Sequence, residues 1–134
     1  MTFFKLTKEI RSKEGVLHFK RWSIISCKWF NVYLHAIHKH DEDTHLHNHP
    51  WNFFVICLFG SYLERLEQSV KVVGTGTMRY RNHSKFHKID TLYTDAVYTL
   101  VITGKKQPVE WGYLVDGKNI DHVTYRQLKR ENSL

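Results

Sequence analysis

Residues 38–51 read HKHDEDTHLHNHPW, with five histidines and three carboxylates. Six of the chain's ten histidines fall between His35 and His49. Neutral imidazole is the commonest protein metal ligand. His45, His47 and His49 are spaced by two, and on an extended chain alternate residues point to one face. Two imidazoles of this run can therefore grip one metal ion, and a third ligand must come from elsewhere in the chain. His87, in the later segment KFHKID, is the leading candidate. Three neutral imidazoles leave coordination positions open, as a catalytic metal requires.

Other spellings in the same stretch carry other chemistry. His47-Asn48-His49 spells HNH, but the nuclease motif of that name is spread over a ββα unit. Here a strand-like run, WNFFVICLFG, follows the histidines instead. His40-Asp41 spells the HD pair of helical phosphohydrolases, whereas this chain is not helical. His40 and Glu42 with His87 would make a facial triad of two histidines and one carboxylate, and this stays open as a rival. Asp41, Glu42 and Asp43 are more simply a solvated loop leading into the site.

The elements that must position these residues are mostly strands. Short apolar runs bounded by turn residues occupy residues 16–22, 29–38, 51–66, 70–73, 78–81, 86–89, 96–103 and 109–115. The long run 51–66 is expected to bend at Gly60. Residues 40–49 read as a polar loop, 74–76 and 116–117 as turns, and 124–132 as a short basic helix. Eight or nine evenly spaced strands with no βαβ alternation predict an all-β, jelly-roll barrel with a short C-terminal helix.

Composition narrows the setting. The 134 residues suit one domain, with its core at about residues 16–125. Hydrophobic residues make up 42% and aromatics 14%, enough to exclude a disordered chain. No apolar run is long enough to span a bilayer, so no membrane role is expected. The first fifteen residues do not read as a signal peptide. Cys27 and Cys57 are far apart and form no CxxC pair, which fits a reducing cytoplasm. The net charge of +7 favours anionic ligands and leaves nucleic acid open as a partner. The charge is scattered, though, with only Lys105-Lys106 and Lys129-Arg130 adjacent, so a solvated basic surface is the simpler account.

HLHNHPWNFFVICLFG resembles the first motif of the cupin superfamily, HxH, three or four residues, Glu, six residues, Gly. His47 and His49 take the HxH positions, and Gly60 falls on the glycine. Phe53 stands where the glutamate ligand should be. That departure resembles the three-histidine cupins similar to cysteine dioxygenase. The second motif, PxGxxH, keeps only its histidine, as His87; Asn82 and Ser84 replace its proline and glycine. The chain is also similar to a group of small cupin-like proteins of bacteria and phages. It shares with them residues 41–51, the GSYLE exit at 60–64, His87-Lys88, the stretch 98–104 and the WGY at 111–113.

The resemblance implies that His47, His49 and His87 hold one divalent metal ion. Fe(II) is favoured, with Zn(II), Ni(II) or Mn(II) as alternatives. Glu64 and Tyr98 are candidate catalytic groups, as a fourth ligand or an acid/base at the barrel mouth. His45 is a weaker ligand candidate. Trp51, Trp111 and Tyr113 are expected in the pocket wall or the core, and Cys57 as inert packing. The implied activity is a dioxygenase-like oxidation of a small anionic substrate. The alternatives are a Lewis-acid isomerase, epimerase or hydrolase, and a non-catalytic binding module. A homodimer through edge strands is a further expectation from the resemblance.

Overall fold

A computed structural model describes residues 2–41 and 44–134. In chain order the strands are β1 (Thr2–Arg11), β2 (Leu17–Ser26), β3 (Asn31–Ile37), β4 (Phe53–Phe59), β5 (Ser61–Leu66) and β6 (Val70–Gly74). They continue as β7 (Met78–Arg81), β8 (His87–Leu92), β9 (Val97–Thr103), β10 (Gly112–Val115) and β11 (Lys118–Asp121), and the chain ends in helix α1 (His122–Arg130).

Six strands form one antiparallel sheet in the order β1-β2-β3-β9-β4-β7. A second layer contains β6-β5-β8 and the hairpin β10-β11. Isolated bridges from His47 to His87 and to Tyr113 join those two pieces through the histidine-rich segment. The result is the expected all-β jelly roll with a short C-terminal helix. Alternation decides what points inward. Along β9, Val97, Thr99, Val101 and Thr103 are buried while Tyr98 is exposed. Along β4, Phe53, Val55 and Cys57 are buried in the same way. Three apolar clusters result: one around Cys57, Tyr62 and Val97, one around Phe53 and Val101, and one where Tyr113 and Val115 meet Tyr125 of α1.

Two strands go beyond the sequence reading. β1 pairs with β2 along its whole length. Its alternation is disguised because the register shifts between Leu6 and Lys8, which puts Lys8 on the inward face with Ile10. β11, KNID, has no apolar pattern and exists as the return arm of the Asp116-Gly117 turn. The helix starts two residues earlier than expected because Asp121 caps it, its carboxylate accepting from the Thr124 backbone N–H at 3.1 Å. No helix among the described residues is long and apolar enough to cross a membrane.

Gly60 separates β4 from β5, as expected. Its φ is +100°, and a Cβ there would sit 2.6 Å from the Ala96 carbonyl oxygen. Both the left-handed backbone and the close approach require glycine. Gly60→Ala is expected to lower stability by roughly 2 kcal/mol or more. The check is a urea titration, where the midpoint falls and the slope is unchanged.

Candidate metal centre

The three expected ligands meet. Ring nitrogens of His47, His49 and His87 all lie within 4.8 Å of one another. The Nε2 atoms of His49 and His87 are 3.1 Å apart. Two imidazole nitrogens sharing one metal at about 2.1 Å stand roughly 3.0–3.4 Å apart, so this spacing fits a common ion. Burial, followed by the charges of His47 and His87, holds His49 well below the ordinary histidine value, so it is the neutral, ligating form.

The backbone brings these rings together. His47 donates its N–H to the His87 carbonyl at 2.9 Å, and His87 returns the bond at 2.8 Å. On the other side Asn48 donates to the Gly112 carbonyl, and its side-chain oxygen accepts from the Gly112 N–H at 2.7 Å. A segment without strand-forming residues is thus held extended between β8 and β10, and its alternation aims His47 and His49 inward. Upstream, Asp41 accepts from the Ile89 N–H at 2.7 Å, two residues past His87. Asp41 was expected only as a solvated loop residue. Glu42 and Asp43, with the facial-triad reading that needs Glu42, lie outside the described residues.

Glu64 stands beside the cluster. It is directly opposite Ile89 on β8, hence a diagonal neighbour of His87 on the same face. Its Oε2 is 2.9 Å from His87 Nδ1, and its Oε1 accepts from Arg81. Burial pushes the Glu64 carboxyl up, but the hydrogen bonds and charges of His87 and Arg81 outweigh it and leave the value lowered. An ionised carboxylate only accepts, so Nδ1 of His87 carries the proton and Nε2 presents its lone pair to the cluster. Both oxygens of Glu64 are engaged, Oε2 by His87 and Oε1 by Arg81. Arg81 itself was not anticipated: it lies opposite Phe53 in the β4–β7 register and so shares its inward face.

The remaining candidates divide. Phe53 packs on His49 and His87 at ring distances of 5.2 and 5.5 Å, giving an apolar wall where the motif has glutamate. His45 turns away and hydrogen-bonds the Tyr125 hydroxyl at 2.9 Å. Tyr98 is on the outer face of β9 against Phe59, away from the cluster, because strand alternation sends Thr99 inward and Tyr98 outward. Cys57 is 1% exposed, its thiol is raised by burial, and its Sγ contacts the Gly60 carbonyl. It is packing, as expected.

The cluster opens into a cavity of about 660 Å³. Trp51, Trp111 and Tyr113 line it, as do Lys8, Arg21, Lys39 and Arg126. A second depression of about 710 Å³, beside Gln68 and Lys85, contains none of the three histidines.

No family model and no curated protein matches the chain. Solved structures do. A cupin-2 domain from Rhodospirillum rubrum superposes with a TM-score of 0.63 at 11% identity, over 97% of this chain and 84% of that one. The fold is that of a cupin. HppE in its Fe(II) form gives 0.61 at 13% identity, over 75% of this chain and 56% of HppE, so the chain spans little more than half of that enzyme. KdgF from Halomonas sp. gives 0.59 at 14% identity, over 79% and 96%. On this fold, Glu64→Gln should keep the structure yet weaken metal binding about 10- to 100-fold, since it removes the anion that fixes His87. Competition with a chelating dye on Zn(II)-loaded protein measures this.

Proposed function

We propose that this cupin is a metal-dependent enzyme, an Fe(II) dioxygenase-like oxidase acting on a small anionic substrate. The observation that carries the reading is the convergence of three imidazoles at the wall of a cavity rich in cationic side chains. Bound to the three histidines, Fe(II) would supply electrons to O₂, whereas Zn(II), which has no accessible redox step, would supply Lewis acidity alone.

The chain's own residues prepare that chemistry. His47, His49 and His87 would hold the ion as neutral ligands, so its positive charge is not cancelled and an anion is attracted. Glu64, held by Arg81, fixes the ring of His87. Phe53, Trp51 and Val55 wall the cluster with apolar surface and limit water on that side. Lys8, Arg21 and Arg126 make the cavity positive, and its field draws anions in. The structural neighbours include HppE in its Fe(II) form and a mannose-6-phosphate isomerase candidate from Ralstonia eutropha, so the fold is found both with bound iron and in a candidate sugar-phosphate isomerase.

The test is oxygen uptake. Protein loaded anaerobically with Fe(II) is mixed with aerated buffer and a panel of small carboxylates, thiols and phosphorylated compounds. Substrate-dependent O₂ consumption, abolished in His49→Ala and absent with Zn(II), is expected. Turnover of the same compounds by Zn(II)- or Mn(II)-loaded protein without O₂ uptake would overturn the oxidase reading in favour of the isomerase or hydrolase alternative.

A further inference from the structure

Four cavity residues outside the histidine cluster fall on one line across the large sheet. The register pairs Lys8 with Arg21, Arg21 with His35, and His35 with Thr99. Directly paired residues share a face, and all four line the cavity. Arg126 reaches the same cavity from α1, its guanidinium over the Trp111 ring at 5.7 Å. Arg21 is held by Tyr33, 4.7 Å beneath its guanidinium, and donates Nε to Thr7 Oγ1 at 3.1 Å.

This wall has donors and charge but few acceptors. Among the described residues, no ion pair involves Lys8, Arg21 or Arg126. The neighbouring Glu9 pairs instead with Arg11 and Lys20. The two described carboxylates that line the cavity are already engaged, Asp41 by the Ile89 N–H and Glu64 by His87 and Arg81. Burial, then the charges of Arg21 and Arg126, lowers the Lys8 ammonium, as crowded cations require. Burial, then Arg21 and Lys8, takes His35 down to about 3, so it is neutral. Two atoms of the row, His35 Nε2 and Thr99 Oγ1, are buried without a hydrogen-bond partner, and Thr99 is 1% exposed. Native proteins seldom leave buried polar atoms unmatched unless water, an ion or a ligand matches them.

We propose that Lys8, Arg21, His35 and Thr99, with Arg126, bind a doubly charged tetrahedral oxyanion, so that the substrate is a small phosphate monoester or phosphonate. This rests on the reading above that its other end meets a metal held by His47, His49 and His87. A carboxylate carries one charge and would leave two of the three cations uncompensated in a partly desolvated site. A phosphate offers two charges and three acceptor oxygens to the same donors.

The test is calorimetric titration of inorganic phosphate at fixed ionic strength, with acetate for comparison, into Zn(II)-loaded protein freed of excess metal. Phosphate should bind at least tenfold more tightly than acetate. Arg21→Gln and the nearly isosteric Thr99→Val should each weaken it about tenfold, with zinc content and thermal unfolding unchanged. Metal-free His87→Ala should retain phosphate binding within a few-fold. Wild-type phosphate affinity in both row variants would overturn the proposal. So would loss of phosphate binding confined to His87→Ala, which would put the anion on the metal, or equal affinity for acetate. Zinc content, measured on the same samples, reports separately on the metal reading, because the row can be titrated in metal-free protein.

Discussion

The two backbone hydrogen bonds between His47 and His87 are the constraint on which the rest of the site depends. The segment that carries His47 and His49 has no apolar periodicity to hold it in place. It is extended because β8 on one side and β10 on the other give its backbone partners. Each such bond is worth only about 1 kcal/mol net, but together they fix register. A slip of one residue would turn the imidazoles to the opposite face. Asp41, bonded to the Ile89 N–H, holds the upstream end of the loop to the same strand.

Charge completes what the backbone begins. Arg81, Glu64 and His87 form a buried chain that crosses from the large sheet to the small one. Buried ion pairs contribute little to stability, because desolvation offsets much of their attraction. Their consequence here is orientation: the carboxylate fixes which nitrogen of His87 carries the proton. Since Glu64 acts through His87 and Phe53 stands where the motif has a carboxylate ligand, the three groups that converge are all imidazoles. A metal held by such a site would keep its full charge, and the Lys8–Arg21 wall would add to it. Both features would favour anions.

Much of the fold was legible because its strands are apolar and regularly broken. Gly60 marked the bend between β4 and β5, and β7 (Met78–Arg81) was read with its observed limits. β1 was not read, because a register shift after Leu6 interrupts its alternation and puts Lys8 into the cavity. The histidine cluster was visible in the spacing of His47 and His49 and in the later KFHKID segment that offered His87, and the resemblance pointed to the same three residues. The positions of Glu64 and Tyr98 were not. Glu64 reaches His87 only through the β5–β8 register, which includes a bulge beside it. Tyr98 lies outside the cavity through the parity of β9, which depends on where the strand starts. The Lys8–Arg21–His35–Thr99 row exists only once β1, β2, β3 and β9 are in register, so no linear motif announces it.

X-ray absorption at the zinc edge of Zn(II)-loaded protein tests the central claim most directly, that three imidazoles share one ion. The expected spectrum has three imidazole nitrogens at about 2.0–2.1 Å, falling to two in His49→Ala. Fewer than three imidazoles in the wild type, or sulfur at the metal, would contradict it.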